Sequence, residues 1–227
     1  MKSAIKWSRI AAAAGALGGV LAAGSAQAVI VYSGLVNLAI PNTATGLYVN
    51  VLTRTSFSGP GTFPALPGPG SNYDFNLFGT TTWQFFSPSA TGLSAPAVPA
   101  DSKGYVSATA TGAGLNLAPG TLIGNASVFN TGSPSAAALT TGAPAIFGFR
   151  FRNEGPDLTV ATDDTVHFGW ARVTLTAGVP GTLIDYAFES TPLTGIQAGV
   201  VPEPGTWLLM GLGVAGLLLA RQRKTAA

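Results

Sequence analysis

The sequence predicts an all-β fold, an antiparallel β-sandwich of jelly-roll-like or Ig-like kind. A signal-peptide helix flanks it at the N-terminus and a short transmembrane helix at the C-terminus. Three observations point there. Between residues 29 and 199, apolar and polar side chains alternate with period two and no stretch sustains a 3.6-residue period. Twenty-two glycines and fourteen prolines punctuate that span into short runs. The chain is 47% apolar and only 9% charged, which supplies a core and excludes a charge-rich disordered polymer.

The elements follow in order. Residues 1–28 read as a cleavable signal peptide. Lys2, Lys6 and Arg9 form a positive start, and Ile10 to Ala23 is an apolar run of 14 residues. Ala26-Gln27-Ala28 then gives the small-x-small pattern that a signal peptidase accepts, leaving Val29 as the mature N-terminus. Export machinery and signal peptidase are the partners this segment implies.

Residues 29–199 form one β domain of about nine strands. Val29–Ile40, Gly46–Thr53, Thr81–Phe86, Tyr105–Ala110, Leu122–Phe129 and Thr165–Thr176 are strand candidates. Tyr73, Phe75 and Leu77 alternate with Asp74 and Asn76. Phe147, Phe149 and Phe151 alternate with Gly148, Arg150 and Arg152, the clearest strand in the chain. Ile184, Tyr186 and Phe188 alternate with Asp185, Ala187 and Glu189. Such alternation predicts sheets buried on one face and solvated on the other. Residues 87–100 (SPSATGLSAPAVPA), dominated by Ser, Ala and Pro, predict a long surface loop.

Residues 200–227 are a different kind of segment. Val201-Pro202-Glu203-Pro204-Gly205 is extended, because each proline fixes its own φ and restricts the residue before it. Residues 206–220 are read as the membrane segment, with Trp207 as interfacial anchor; Trp207 to Ala220 spans about 21 Å as a helix. Arg221, Arg223 and Lys224 in the tail 221–227 act as a basic stop that stays cytoplasmic, with the body outside.

A Val-Pro-Glu-Pro sequence, one short glycine-containing apolar helix and a terminal basic cluster together resemble the PEP-CTERM sorting signal. That resemblance implies an exosortase-type membrane protease acting near Pro202-Glu203-Pro204. It implies passage through the inner membrane to the cell surface or extracellular matrix of a Gram-negative-type, exopolysaccharide-producing bacterium. Exopolysaccharide is therefore a candidate partner. The body also resembles an undescribed group of exported PEP-CTERM β proteins. The likeness runs through Gly148–Phe151, His167–Val173, Ile184–Glu189, Thr191-Pro192 and Ile196–Gly199. It supports a sandwich and carries no activity with it.

The chemistry-bearing residues are few. With no cysteine, a disulfide scaffold, a thiolate metal cluster, a cysteine nucleophile and an N-terminal lipid-modified cysteine are excluded. Between Val29 and Val200, five basic residues face eight acidic ones, so the basic pI comes from the two ends and nucleic-acid binding is excluded. His167 is the sole histidine. It lies within a strand and no Gly-x-Ser-x-Gly elbow accompanies it, so it reads as a structural residue hydrogen-bonded to an adjacent loop. Glu154, Asp157, Asp163 and Asp164 read as a solvated hairpin loop, with Ca²⁺ binding as the alternative. Trp83, Trp170, Tyr32, Tyr48, Tyr73 and Tyr105 read as core, with a sugar-stacking platform as the alternative.

The reading is thus a non-enzymatic exported surface or matrix protein without catalytic, cofactor or metal site. A glycan-binding module is the alternative, and a secreted hydrolase a more distant one.

Overall fold

The computed structural model describes residues 29–58, 73–86, 103–153 and 164–201. Thirteen strands lie among them, in chain order β1 (Ile30–Tyr32), β2 (Leu38–Ile40), β3 (Leu47–Asn50), β4 (Thr55–Phe57), β5 (Phe75–Phe78), β6 (Gln84–Phe86), β7 (Gly104–Val106), β8 (Leu122–Ile123), β9 (Phe129–Asn130), β10 (Pro144–Asn153), β11 (Thr165–Thr174), β12 (Gly181–Glu189) and β13 (Ile196–Gln197). A single 3-10 turn, Ala137–Leu139, is the one helical piece among the described residues. Every strand pairing is antiparallel. The all-β, sandwich-like prediction holds.

The phenylalanine-rich strand is the centre of the fold. β10 pairs with β11 over its whole length, from Pro144 opposite Thr174 to Asn153 opposite Thr165. β12 lies on the far side of β11, and β1 and β2 both pair with β12. β7 and β9 complete the large sheet beyond β10. The second sheet has the order β4-β3-β5-β6, and β8 and β13 form a separate pair.

Period two decides what each face of β10 meets. Ala145, Phe147, Phe149 and Phe151 point at the four-stranded sheet and pack with Leu47, Val49, Phe75, Leu77, Trp83 and Phe85. Phe75 meets Phe147 edge-on at 5.4 Å between centroids, and Phe85 stacks on Tyr105 at 4.3 Å. Each such buried aromatic is worth about 1.5–3 kcal/mol over an exposed one. Trp83 ties the layers together by donating its Nε1–H to the Thr176 carbonyl at 2.8 Å.

The opposite face of the large sheet departs from the predicted solvated surface. Ile146, Phe168, Trp170 and Ala187 there form a second core with Val106, Leu117, Ile123, Phe129, Ile196 and Ala198. Two properties of the sequence explain it. Phe168 to Ala171 is apolar or small at successive positions, so both faces of β11 have something to bury. Gly148 lets neighbours close in, since a Cβ there would lie 2.7 Å from Val106 Cγ2. Arg150, expected to face water, lays its guanidinium over the Phe129 ring at 4.5 Å.

Three strand boundaries are also corrected. Val29–Ile40 is interrupted at residues 33–37, where Val36 and Asn37 both donate to the Ile184 carbonyl. Its two halves pair with opposite ends of β12. Leu122–Phe129 is two strands in different sheets, because Ser127 N–H turns back onto the Gly124 carbonyl. Tyr105–Ala110 ends early, at a turn closed by Gly112 N–H to Thr109 O. β4 and β13 are additions that alternation over so few residues did not reveal.

Several expectations lie outside the described residues. These are the signal peptide with Ala26 and Ala28, the 87–100 loop, Glu154, Asp157 and Asp163. So too are Pro202, Glu203, Pro204, the membrane segment with Trp207, and Arg221, Arg223 and Lys224. No helix among the described residues is long and apolar enough to cross a membrane.

Candidate functional site

Val29, the expected mature N-terminus, and Val201, the first residue of the expected sorting motif, are both among the described residues. Val29 is exposed at 59%, and its backbone is held on both sides. Its carbonyl accepts from Ser190 N–H at 3.0 Å, and its nitrogen donates to Glu189 Oε1 at 2.9 Å. Val201 is exposed at 37% and follows β13, whose Ile196 is fully packed in the second core. Ala198 is tied to Thr121 and Gly120 by two backbone hydrogen bonds, so the chain leaves the domain from a fixed point.

Glu189 is the last residue of β12 and is wholly buried. Its Oε1 accepts a second hydrogen bond, from Thr191 N–H at 2.8 Å. Its Oε2 is buried without a hydrogen-bond partner, and no ion pair reaches the carboxylate among the described residues.

His167 stands beside this carboxylate's strand and is fully engaged. Nδ1 lies 2.8 Å from the Glu189 carbonyl oxygen, which can only accept, so Nδ1 carries the proton. Nε2 lies within hydrogen-bond distance of the Thr165 hydroxyl, at 2.8 Å. The ring stacks on Phe151 with centroids 5.5 Å apart. Its partners are its own strand and the end of β12 rather than an adjacent loop.

On the face of β12 that carries the Glu189 side chain, Asp185 collects Tyr32 and Arg172. The Tyr32 hydroxyl donates to Asp185 Oδ2 at 2.9 Å, and Arg172 Nη2 bonds the same oxygen at 3.0 Å. Burial, the hydrogen bond to Asp185 and that carboxylate's charge push the Tyr32 phenol up, and Arg172 offsets part of the rise. Asp185 Oδ1, Arg172 Nε and Trp170 Nε1 are buried here with no hydrogen-bond partner. Tyr32 and Trp170 are 6.3 Å apart between ring centroids, and Arg172 sits 5.7 Å from the Trp170 ring. Tyr32 and Arg172 are half-buried, so the cluster reaches the surface.

The aromatic residues proposed from sequence are dispersed. Trp83, Tyr105 and Trp170 are buried, with Trp83 and Tyr105 in the inter-sheet core and Trp170 in the second core. Tyr73 is buried and meets Tyr48 edge-on at 4.9 Å, on the outer side of the four-stranded sheet. Asp164 pairs with Arg152 at 3.3 Å. No group of three or more metal-ligating residues occurs among the described residues.

Glu189 and the Tyr32–Asp185–Arg172 cluster escaped the sequence reading, although a signal was present. Asp185 and Glu189 occupy one face of an otherwise apolar strand together with Ala187. Acids placed so are usually buried and partnered.

Comparison with known proteins bears on the end of the chain. Residues 200–224 match the family model of the PEP-CTERM protein-sorting motif. The match implies an exported protein, carried through the membrane to the cell surface and processed by an exosortase-type membrane protease. No curated protein and no solved structure matches the chain.

Proposed function

We propose that this PEP-CTERM protein is a non-enzymatic component of the cell surface or extracellular matrix of a Gram-negative-type bacterium. The sorting motif at residues 200–224 is the observation that carries the reading. Signal peptidase releases the body at Val29 while residues 206–220 pause in the inner membrane. The protease then acts near Pro202-Glu203-Pro204. The engagement of both His167 nitrogens within the fold supports a passive body, because the chain's only imidazole is already occupied.

The experiment is the intact mass of the protein from its native host, fraction by fraction. A mass starting at Val29 and ending near Pro202-Glu203-Pro204 in the surface or matrix fraction supports the reading. A mass running through Ala227, confined to the inner membrane, makes the protein a tail-anchored domain and ends it.

A second reading, glycan binding, is favoured by the cluster around Asp185. There, unspent hydrogen-bonding groups lie beside two half-buried side chains, Tyr32 and Arg172. Calorimetric titration with host exopolysaccharide tests it. Heat lost on Arg172→Met would place the sugar at this cluster, and no heat with the unaltered protein would remove the reading.

A further inference from the structure

Among the described residues no cation reaches the buried Glu189 carboxylate, and the first residue of the proposed mature chain lies against it. In the precursor, the Val29 nitrogen is an amide with one proton, given to Oε1 at 2.9 Å. Oε2 has no donor. A buried carboxylate with one orphaned oxygen and no counter-ion is costly, and the cost falls when a cation with spare donors is supplied. We propose that signal-peptide removal supplies that cation, so that the new α-ammonium of Val29 docks on Glu189 and locks β1 onto β12 only in the mature protein.

The chemistry balances without a further reactant. Water cleaves the Ala28–Val29 amide, and Ala28 leaves as a carboxylate. Val29 keeps the nitrogen as an ammonium, its protons coming from that water and the original N–H. Three donors replace one at a nitrogen already in hydrogen-bond contact, and a formal positive charge meets the buried negative one.

Nothing else need move. The Val29 carbonyl is fixed by Ser190 N–H, and Ile30 is in register opposite Glu189. Oε1 is held by Thr191 N–H, which orients the carboxylate before cleavage. The site is thus specific for an α-amine at this position in the chain. A residue added before Val29 restores the amide and displaces the charge along the chain.

The inference rests on cleavage after Ala28, and the test separates the two. Exported protein is purified from wild type, Glu189→Gln, a variant with one alanine inserted after Ala28, and the combination. Mass gives the start of each chain. An amine-reactive label then reports access to the α-amine of the native fold, and thermal unfolding reports the coupling. With chains starting at Val29, the expected result is labelling at least ten-fold slower in wild type than in Glu189→Gln. Each single change lowers Tm by roughly 4 °C or more, and the combination lowers it little further, as two halves of one pair require. Equal labelling rates, or additive losses, with chains starting at Val29 overturn the docked ammonium alone. A wild-type chain starting elsewhere overturns the cleavage reading and this one together. If Glu189→Gln yields no folded protein, the labelling rate of the alanine-inserted chain against wild type decides: equal rates overturn the proposal.

Discussion

The ring of Phe149 lies across Gly169, its partner in the β10–β11 ladder, closely enough that a Cβ on the glycine would fall 2.5 Å from the ring's Cζ. The same Cβ would stand 2.8 Å from the Ala187 carbonyl oxygen, which belongs to the neighbouring strand and cannot swing away. The side chain that Gly169 lacks is replaced by its neighbour's ring.

Gly169→Ala is therefore expected to destabilise the domain by about 1–3 kcal/mol through overpacking. The conformational gain of alanine over glycine in a strand, roughly 0.5–1 kcal/mol, is too small to reverse it. Urea unfolding checks this: the midpoint should fall with an unchanged m-value, and an unchanged or raised midpoint would refute the packing argument.

Trp83→Phe removes the donor that bridges the two main sheets at Thr176 while keeping an aromatic of smaller volume. The expected loss is about 1–3 kcal/mol, combining the hydrogen bond with incomplete filling of a site that is 1% exposed. Unfolding monitored by far-UV circular dichroism measures it without relying on the deleted tryptophan.

The domain should weaken steeply in alkali. All five tyrosines, Tyr32, Tyr48, Tyr73, Tyr105 and Tyr186, are held above the ordinary phenol range, and burial is the first cause in each. A raised pKa means that the native state keeps a proton the unfolded chain releases. The associated stability is complete below about pH 10 and is lost as pH rises above it. For Tyr105, fully buried with its hydroxyl given to the Phe86 carbonyl, the loss amounts to about 1.4 kcal/mol per pH unit. Native absorbance at 295 nm should lag that of urea-unfolded protein until unfolding releases the phenols together. Superimposable titration curves would contradict the burial assigned to these rings.

Glu203→Ala tests the sorting tail by itself. Export should proceed and signal-peptide removal with it, while the uncut chain accumulates in the inner membrane. Fractionation followed by mass measurement checks this, and normal processing of the variant would sever the Pro-Glu-Pro segment from protease recognition.

How much of this was legible beforehand differs from element to element. Phe147-Gly148-Phe149-Arg150-Phe151 announced its strand because period-two alternation is a local property. The split of Val29–Ile40 was not legible, since it depends on how residues 33–37 meet Ile184, which is far away in sequence. Arg150 and Arg152 looked like solvent-facing partners of the phenylalanines. One lies over Phe129 and the other pairs with Asp164, contacts that alternation alone does not specify.

The sequence by itself determined the sorting motif and the fold class. The motif at residues 200–224 is a short linear signal that implies processing by an exosortase-type protease. Alternation with glycine and proline punctuation dictates strands in any context. Tertiary structure alone decided which charges are buried and what they face. Glu189 and Asp185 look like ordinary strand acids until folding brings Val29 to one and Tyr32 and Arg172 to the other, across 160 and 153 residues for Val29 and Tyr32. Local patterning fixes the direction of a side chain within its strand, whereas its electrostatic partner is fixed by the pairing of strands remote in sequence.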